Sequence, residues 1–330
     1  MPKLSNSHEV VDVVMYNNEI EILELRIKYL EKYVNKFIVA ESQLTFSNNK
    51  KTLADQNLLK TKLGSNFKKI DFVTLPKYNS ENFWENERNS RAFIFRYARL
   101  NYPQTAIIFS DVDEIPSKQQ VLSIPLIKPG IYSIPMKMTY FYVNTRTSGD
   151  QDVWTRAKIL SPGFINEYHG DGTKIREEIY PNLPNLELGC HFSYFNFSIK
   201  NLQTKYKSFS HNEFDFAGSS DSKLIFLSNK YSVSHLGDFY KKGRGILNVE
   251  KDIDLNHLQK FVIANEPNVF IDFKKVPMKI MRLYYSFLLT ERMNSKEISE
   301  FIIKFKIRKF SKMLQILIKH SIYVILKKLL

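Results

Sequence analysis

The chain has 330 residues, of which 43% are hydrophobic and 14% aromatic, so it can bury a substantial core and is not a disordered or collagen-like protein. Its single cysteine excludes an internal disulfide and a cysteine-rich zinc site. The net charge is +14, but residues 274–330 hold 14 of the 48 basic residues and only 3 of the 34 acidic ones. Because the remaining chain is nearly balanced and carries no recognisable nucleic-acid-binding module, we expect no nucleic acid partner.

The first half of the chain predicts alternating strands and helices. β-Branched or apolar runs predict the strands, and apolar residues at helical spacing predict the helices. The predicted strands are residues 10–16, 36–41, 70–75 and 105–110. The predicted helices are residues 20–30 and 81–101. This alternation indicates the α/β class with a mostly parallel sheet, in which ligands bind at the carboxyl ends of the strands.

After Pro116 the pattern changes to extended segments rich in Tyr, Phe and Ile, so we predict a mixed second half. The extended segments are residues 130–144, 153–160 and 188–195, and residues 199–209 are predicted to be helical. Residues 161–184 combine Gly, Pro, Asp, Glu and His and predict a long loop. We place a domain boundary near residues 272–278, which gives one domain over residues 1–273 and a tail over residues 274–330.

The tail predicts a basic amphipathic helix. Apolar residues recur at spacings of four and three, and Lys and Arg occupy an adjoining stripe; the apolar positions are Ile303, Ile307, Phe310, Leu314 and Leu317. Such helices bind anionic membrane surfaces, with about 1 kcal/mol from each Lys or Arg. A helix packed on the body with its charges in water is the alternative. Since we find no signal peptide or apolar run of about 20 residues, we expect a cytoplasmic protein that binds the inner membrane face through this tail.

Asp111 and Asp113 follow directly after the predicted strand at residues 105–110, in the sequence Ser-Asp-Val-Asp-Glu-Ile-Pro. Two carboxylates separated by one residue can both approach a divalent cation, and hard oxygen ligands suit Mg²⁺ or Mn²⁺. Such an ion keeps coordination positions for phosphate oxygens, so the pattern predicts a nucleoside diphosphate site. A merely solvated turn is the alternative, but the position at a strand end favours function.

Four segments of the sequence resemble glycosyltransferase family 17, the group that includes the bisecting β-1,4-N-acetylglucosaminyltransferase of N-glycans. They occur in the same order as in that family, at residues 12–51, 86–94, 110–116 and 188–213. The resemblance covers about residues 10–240. It implies a GT-A type nucleotide-sugar-binding fold, a divalent metal, a UDP-sugar donor and inversion at the anomeric carbon.

Two features depart from the family pattern. The animal members carry an amino-terminal membrane anchor and work in the secretory pathway, whereas this chain shows neither an anchor nor a cysteine framework. We therefore expect an acceptor other than an N-glycan. Where the family has Gly-Trp-His, this chain has Gly189-Cys190-His191, so a role that needs an indole at that position is in doubt.

Further polar residues are candidates for donor binding. Asn17, Glu19 and Glu41 follow the first two predicted strands, where we expect the uracil or ribose; helix capping and a solvated acidic turn explain them equally well. Arg88 and Arg91 are three residues apart on the long helix and could reach a phosphate. A surface ion pair with Glu85 or Glu87 is the favoured alternative for these two arginines.

An inverting transfer needs a general base that takes the proton of the acceptor hydroxyl. The candidates are Glu114, His191, His211, Glu213 and Asp215. A half-buried structural histidine is the alternative for His191, and metal ligation or helix capping for His211. Spacing alone does not choose among them.

The sequence thus predicts a metal-dependent, inverting glycosyltransferase that transfers a sugar, by resemblance N-acetylglucosamine, from a UDP-sugar to a hydroxyl of a glycan or glycolipid. Asp111 would contact ribose or metal, and Asp113 would bind the Mn²⁺ or Mg²⁺ that bridges the two phosphates. A lipid-linked acceptor would suit surface-polysaccharide or lipopolysaccharide assembly. A metal-dependent phosphoryl or nucleotidyl transferase and a non-catalytic sugar- or membrane-binding protein are the alternatives.

Overall fold

The structure is a computed structural model that describes residues 9–146, 153–183, 187–195 and 248–271. These residues form a mixed α/β fold with two six-stranded sheets. Three predicted features lie outside the described residues: the helix at 199–209, the boundary at 272–278 and the tail at 274–330. None of the helices within the described ranges is long and apolar enough to cross a membrane.

The first sheet is mostly parallel, which confirms the prediction. In spatial order its strands are β3 (Ile70–Thr74), β2 (Lys36–Glu41), β1 (Val10–Met15), β4 (Ala106–Asp111), β10 (Lys158–Leu160) and β6 (Ile131–Ser133). β1 lies between β2 and β4 and is parallel to both, and β3 is parallel to β2. β10 pairs antiparallel with β4 and with β6. The carboxyl ends of the four parallel strands therefore meet at one edge of the sheet.

Both faces of this sheet are covered by helices. The helices of the first half are α1 (Ile20–Leu30), α2 (Gln56–Leu63) and α3 (Phe83–Asn101). Val10 and Val14 of β1 pack with the core on the α1 side, whereas Val11 and Val13 pack on the other side with α3. Since side chains alternate along a strand, Asp12 points to the α1 side, between two valines. This alternation buries a carboxylate in an apolar layer, where it needs a cationic partner.

The second sheet places β11 beside the end of β4. Its strands are β5 (Glu114–Ile115), β7 (Met136–Tyr140), β8 (Tyr142–Arg146), β9 (Val153–Trp154), β11 (Gly189–Ser193) and β12 (Asn248–Val249). β11 is parallel to β7 and antiparallel to β5, with His191 opposite Glu114. Two more helices, α4 (Lys118–Leu122) and α7 (His257–Asn265), belong to this half. The pairing of β5 with β11 brings the second sheet to the carboxyl edge of the first.

The prediction of a long loop at residues 161–184 is wrong. It contains two short helices, α5 (Phe164–Glu167) and α6 (Gly172–Glu177). The carboxylate of Asp171 accepts hydrogen bonds from the backbone N–H groups of Thr173 and Lys174 and so begins α6. A helix of six mostly polar residues has no apolar periodicity, which is why sequence pattern did not reveal it.

Candidate active site

Asp111 lies at the end of β4, and its carboxylate binds two arginines. Oδ1 accepts from Nη1 of Arg91 at 2.9 Å, and Oδ2 accepts from Nη2 of Arg91 at 3.2 Å and from Nη2 of Arg176 at 2.9 Å. Burial alone would raise the pKa of Asp111, but the guanidinium groups of Arg176 and Arg91 hold it well below its usual range. The Asp111 side chain is 30% exposed.

Glu114, three residues later, is fully buried and saturated with donors. Its Oε2 accepts from the backbone N–H of Asp111 at 2.9 Å and from Nη1 of Arg176 at 2.7 Å. Its Oε1 accepts from Nη2 of Arg176 at 2.8 Å and from Nε1 of Trp154 at 2.5 Å. A carboxylate has about four lone-pair sites, so Glu114 has none left for the proton of an acceptor hydroxyl. Its contacts instead join α6 and β9 to the end of β4.

Arg26 of α1 fixes the path of the chain through this segment. It is fully buried and pairs bidentately with Asp12, with nitrogen–oxygen distances of 2.6 and 2.7 Å. The same guanidinium donates to the hydroxyl of Ser110 at 2.7 Å. Its Nη1 also donates to three backbone carbonyls, those of Asp111, Val112 and Glu114, at 3.1, 3.4 and 2.7 Å. Arg26 is thus the cationic partner of Asp12, and it also binds the turn after β4 from the α1 side of the sheet.

Gly172 explains how Arg176 reaches Asp111. A Cβ atom at position 172 would lie 2.3 Å from the backbone oxygen of Arg91, so only glycine allows α6 to approach α3 this closely. Arg176 follows one helical turn later, on the same side of α6. The close contact of the two helices therefore places both guanidinium groups on one carboxylate.

Asp113 and His191 form the second part of the site. Nε2 of His191 lies 3.7 Å from Oδ1 of Asp113, which is beyond hydrogen-bond length, and both side chains are about nine-tenths buried. The ring of Trp154 lies against the imidazole, with 4.6 Å between the ring centroids. Nδ1 of His191 is buried and makes no hydrogen bond to any residue that the structure describes. The imidazole is therefore held mainly by ring packing and by its strand.

The Gly189-Cys190-His191 segment of β11 divides its side chains between two faces. A Cβ at position 189 would lie 2.4 Å from the carbonyl oxygen of Ile115, so glycine permits the close pairing with β5. Cys190 is fully buried in the core, whereas His191 faces Asp113. An indole at position 190 would therefore point away from Asp113. The indole that does contact His191 belongs to Trp154.

The ends of β1 and β2 carry the residues predicted to bind uracil or ribose. Glu41 is 1% exposed, accepts from the backbone N–H of Ala54 at 2.6 Å, and has a pKa raised by burial. Nζ of Lys51 donates to the carbonyl of Tyr16 at 3.2 Å, and burial lowers its pKa to about 8. Asn17 and Glu19 are partly buried at the same edge, and Glu19 occupies the N-cap position of α1. Glu41 thus holds the following segment through Ala54, and donor binding by these residues stays a prediction.

The two arginines predicted to share a face of α3 differ in environment. Arg88 is exposed, whereas Arg91 is buried between Asp111 and Glu87, with Nη2 2.8 Å from Oε1 of Glu87. The alternative of an ion pair with a neighbouring glutamate is therefore realised for Arg91. The remaining candidate bases His211, Glu213 and Asp215 lie outside the described residues.

Comparison with known proteins gives one decisive result. The model of glycosyltransferase family 17 matches residues 2–223, which is more than half of the chain and includes the whole segment around Asp111 and Asp113. The chain belongs to glycosyltransferase family 17. No curated protein matches it. Membership establishes a glycosyl transfer reaction with a sugar donor and an acceptor.

The predicted cation ligand of this family 17 glycosyltransferase, Asp113, lies beside the ion-paired carboxylates. Among the described residues, the carboxylates of Glu87, Asp111 and Glu114 pair with the guanidinium groups of Arg91 and Arg176, whereas Asp113 lies 3.7 Å from the imidazole of His191. The described residues contain no group of three His, Cys, Asp or Glu side chains placed to bind a metal ion. Asp113 and His191 nevertheless supply an oxygen and a nitrogen suited to Mn²⁺. A divalent cation at Asp113 stays a prediction.

Sequence reasoning missed three residues of this candidate site: Arg26, Trp154 and Arg176. Arg26 left a local signal, because it is a charged residue among the apolar positions of α1, 14 residues after a charged residue among the valines of β1. Arg176 and Trp154 left none. They reach Glu114 from 62 and 40 residues away along the chain.

Proposed function

We propose that this family 17 glycosyltransferase transfers N-acetylglucosamine from a UDP-sugar to a hydroxyl of a glycan or glycolipid, with inversion at the anomeric carbon and on a GT-A type fold. The observation that supports this most is the position of Asp111 and Asp113. They lie at the carboxyl end of β4, next to β1 in a mostly parallel sheet, where open α/β sheets bind their ligands. The proposed donor lies along this edge, with Asp113 at its diphosphate.

We propose that Mn²⁺ or Mg²⁺ binds at Asp113. The carboxylate of Asp113 and a diphosphate would repel each other, and a cation bound between them would compensate both charges. When bound, the ion would stabilise the charge on the departing UDP. Arg91, Arg176 and Glu114 hold the segment that carries Asp113, and Arg26 fixes its backbone.

The geometry also constrains the general base. In an inverting displacement the base stands opposite the leaving group. His191 lies 3.7 Å from Asp113, so if Asp113 holds the cation of the diphosphate, His191 lies on the leaving-group side. This position favours a contact of His191 with the donor over a role as the base. We assign His191 to the donor and propose His211 or Glu213 as the base.

The proposed acceptor is lipid-linked, as in the assembly of a surface polysaccharide or lipopolysaccharide at the inner face of a membrane. The excess of Lys and Arg in residues 274–330 supports this proposal. Flotation with anionic liposomes tests it, using the full chain and a chain without residues 274–330. Equal flotation of the two would remove the membrane contact and leave the transfer reaction untouched.

The reaction is tested by incubating the protein with UDP-N-acetylglucosamine and Mn²⁺ and measuring UDP release. We expect release by the wild type and loss of release in Asp113→Asn. Release of pyrophosphate from nucleoside triphosphates instead would favour a nucleotidyl transferase. Unchanged donor binding by Asp113→Asn would favour a non-catalytic sugar-binding protein.

The assignment of His191 is tested by calorimetric titration with UDP and with UMP in the presence of Mn²⁺. We expect His191→Gln to weaken binding of UDP about tenfold or more and of UMP much less, because the missing contact is at the outer phosphate. His211→Gln and Glu213→Gln serve as the comparisons: both should keep UDP affinity, and the one that replaces the base should lose transfer. Unchanged UDP affinity in His191→Gln together with lost transfer would make His191 the base.

A further inference from the structure

The charged side chains at the end of β4 form one alternating series. Glu87 pairs with Arg91, Arg91 with Asp111, Asp111 with Arg176, and Arg176 with Glu114. The nitrogen–oxygen distances of these four ion pairs lie between 2.7 and 2.9 Å. Asp111 is the central member, and it connects a guanidinium from α3 with one from α6. Without the charge of Asp111, the two guanidinium groups would repel each other and each would lose one of its carboxylate partners.

The oxygens of Asp111 have little capacity left for a cation. They accept three N–H groups from the two arginines, which uses three of the roughly four lone-pair sites of a carboxylate. A divalent ion on the remaining site would also lie next to two guanidinium charges and would be repelled by both. To bind the ion well, Asp111 would have to release an arginine that is more than nine-tenths buried.

The backbone of Asp111 is fixed as well. Its N–H donates to Oε2 of Glu114 at 2.9 Å, and its carbonyl accepts from Nη1 of Arg26 at 3.1 Å. Glu114 in turn binds Arg176 through both oxygens. The carboxylate of Asp111 therefore cannot turn towards a new partner without disturbing the buried contacts of Glu114.

We infer that the two aspartates of the Asp-x-Asp segment have different functions. Asp111 is a positioning residue that holds Arg91 and Arg176 together and does not bind the cation, and Asp113 offers its carboxylate to the cation. This inference rests on the cation proposed at Asp113. It predicts that the metal-free protein loses more stability when Asp111 is changed than when Asp113 is changed, because only Asp111 neutralises two buried guanidinium groups.

The test compares Asp111→Asn with Asp113→Asn, two isosteric changes two residues apart. Thermal unfolding in EDTA reads stability without metal, and the electron paramagnetic resonance signal of free Mn²⁺ reads metal affinity. We expect Asp111→Asn to lower Tm in EDTA by about 5 °C or more, since two buried guanidinium groups lose a charged partner. We expect Asp113→Asn to lower Tm in EDTA by clearly less than Asp111→Asn does.

The affinities should differ in the other direction. Asp113→Asn should weaken Mn²⁺ binding by at least about tenfold more than Asp111→Asn, whose smaller effect reflects only the loss of a nearby charge. Wild-type Tm in EDTA for Asp111→Asn, with Mn²⁺ affinity lost as in Asp113→Asn, would overturn the inference. An Asp111→Asn protein that does not fold in EDTA would support the anchoring function, because a dedicated metal ligand is dispensable without metal.

Arg176→Lys gives a second, independent measurement. Lysine keeps the charge but cannot bridge Asp111 and Glu114 with a planar fork, so we expect a lower Tm in EDTA and retained Mn²⁺ binding. Wild-type Tm for both Arg176→Lys and Asp111→Asn would refute the anchoring function. If the wild type itself binds no Mn²⁺, the cation of the proposed function is refuted, while the EDTA series still decides whether Asp111 anchors the arginines.

Discussion

Replacing Arg26 by methionine should destabilise the protein strongly. Arg26 and Asp12 are both fully buried, so the change leaves the carboxylate of Asp12 without a cation in an apolar layer. Breaking a buried pair from one side costs about 3–5 kcal/mol. The hydroxyl of Ser110 and three backbone carbonyls lose a donor as well. We expect the free energy of unfolding to fall by about 4 kcal/mol and Tm by roughly 6 °C.

Urea unfolding followed by circular dichroism measures this loss. The double variant Arg26→Met/Asp12→Leu should recover most of it, because replacing both members of a buried pair by apolar residues is often neutral. Arg96→Met, an exposed arginine on α3, is the matched control and should change stability by less than about 0.5 kcal/mol. A loss below about 1 kcal/mol in Arg26→Met, or no recovery in the double variant, would refute the reasoning.

Three further changes have defined outcomes. Gly172→Ala should cost about 1–3 kcal/mol of stability and most of the transfer activity, because its Cβ would lie 2.3 Å from the carbonyl oxygen of Arg91. Thermal unfolding measures the stability and UDP release the activity, and unchanged values would contradict the close packing of α6. Trp154→Phe keeps a ring on His191 but removes the hydrogen bond to Glu114, so it should cost less UDP affinity than Trp154→Ala, and equal losses would show that the ring contact is irrelevant. Burial lowers the pKa of Lys51 from 10.5 to about 8, so the folded protein is more stable above pH 10.5, where Lys51 is neutral in both states, and loses this stability as pH falls through 8. Relative to Lys51→Met, the free energy of unfolding of the wild type in urea should rise by about 2 kcal/mol between pH 7.5 and pH 10. A constant difference between the two proteins would refute the lowered pKa.

The first half of the fold was accessible from the sequence because its elements have strong apolar patterns. The strand predicted at residues 36–41 has the bounds of β2, and α1 begins and ends where its apolar spacing begins and ends. The helix α6 was missed because it is fixed by the Asp171 cap and by contact with α3, and neither appears as a local pattern. Local periodicity predicts elements that cover a core, but not short helices that are shaped by what they touch.

The sequence predicted where along the chain the candidate site lies, but not which side chains pair with each other there. Asp111, Asp113 and Glu114 were recognised from their position after a strand. The function of each carboxylate depends on arginine side chains from distant parts of the chain, since Arg91 and Arg176 lie 20 and 65 residues from Asp111. No spacing rule connects them. The sequence alone could therefore not show that Glu114 is saturated with donors.

The chain's one cysteine has a practical consequence for experiments on this enzyme. Cys190 is fully buried, and burial raises the pKa of its thiol to about 12, so it is almost entirely in the unreactive thiol form at neutral pH. We therefore expect the native protein to react only very slowly with maleimide reagents. A cysteine introduced at an exposed position such as Leu126 would accept a fluorophore or spin label selectively, without any need to remove Cys190 first.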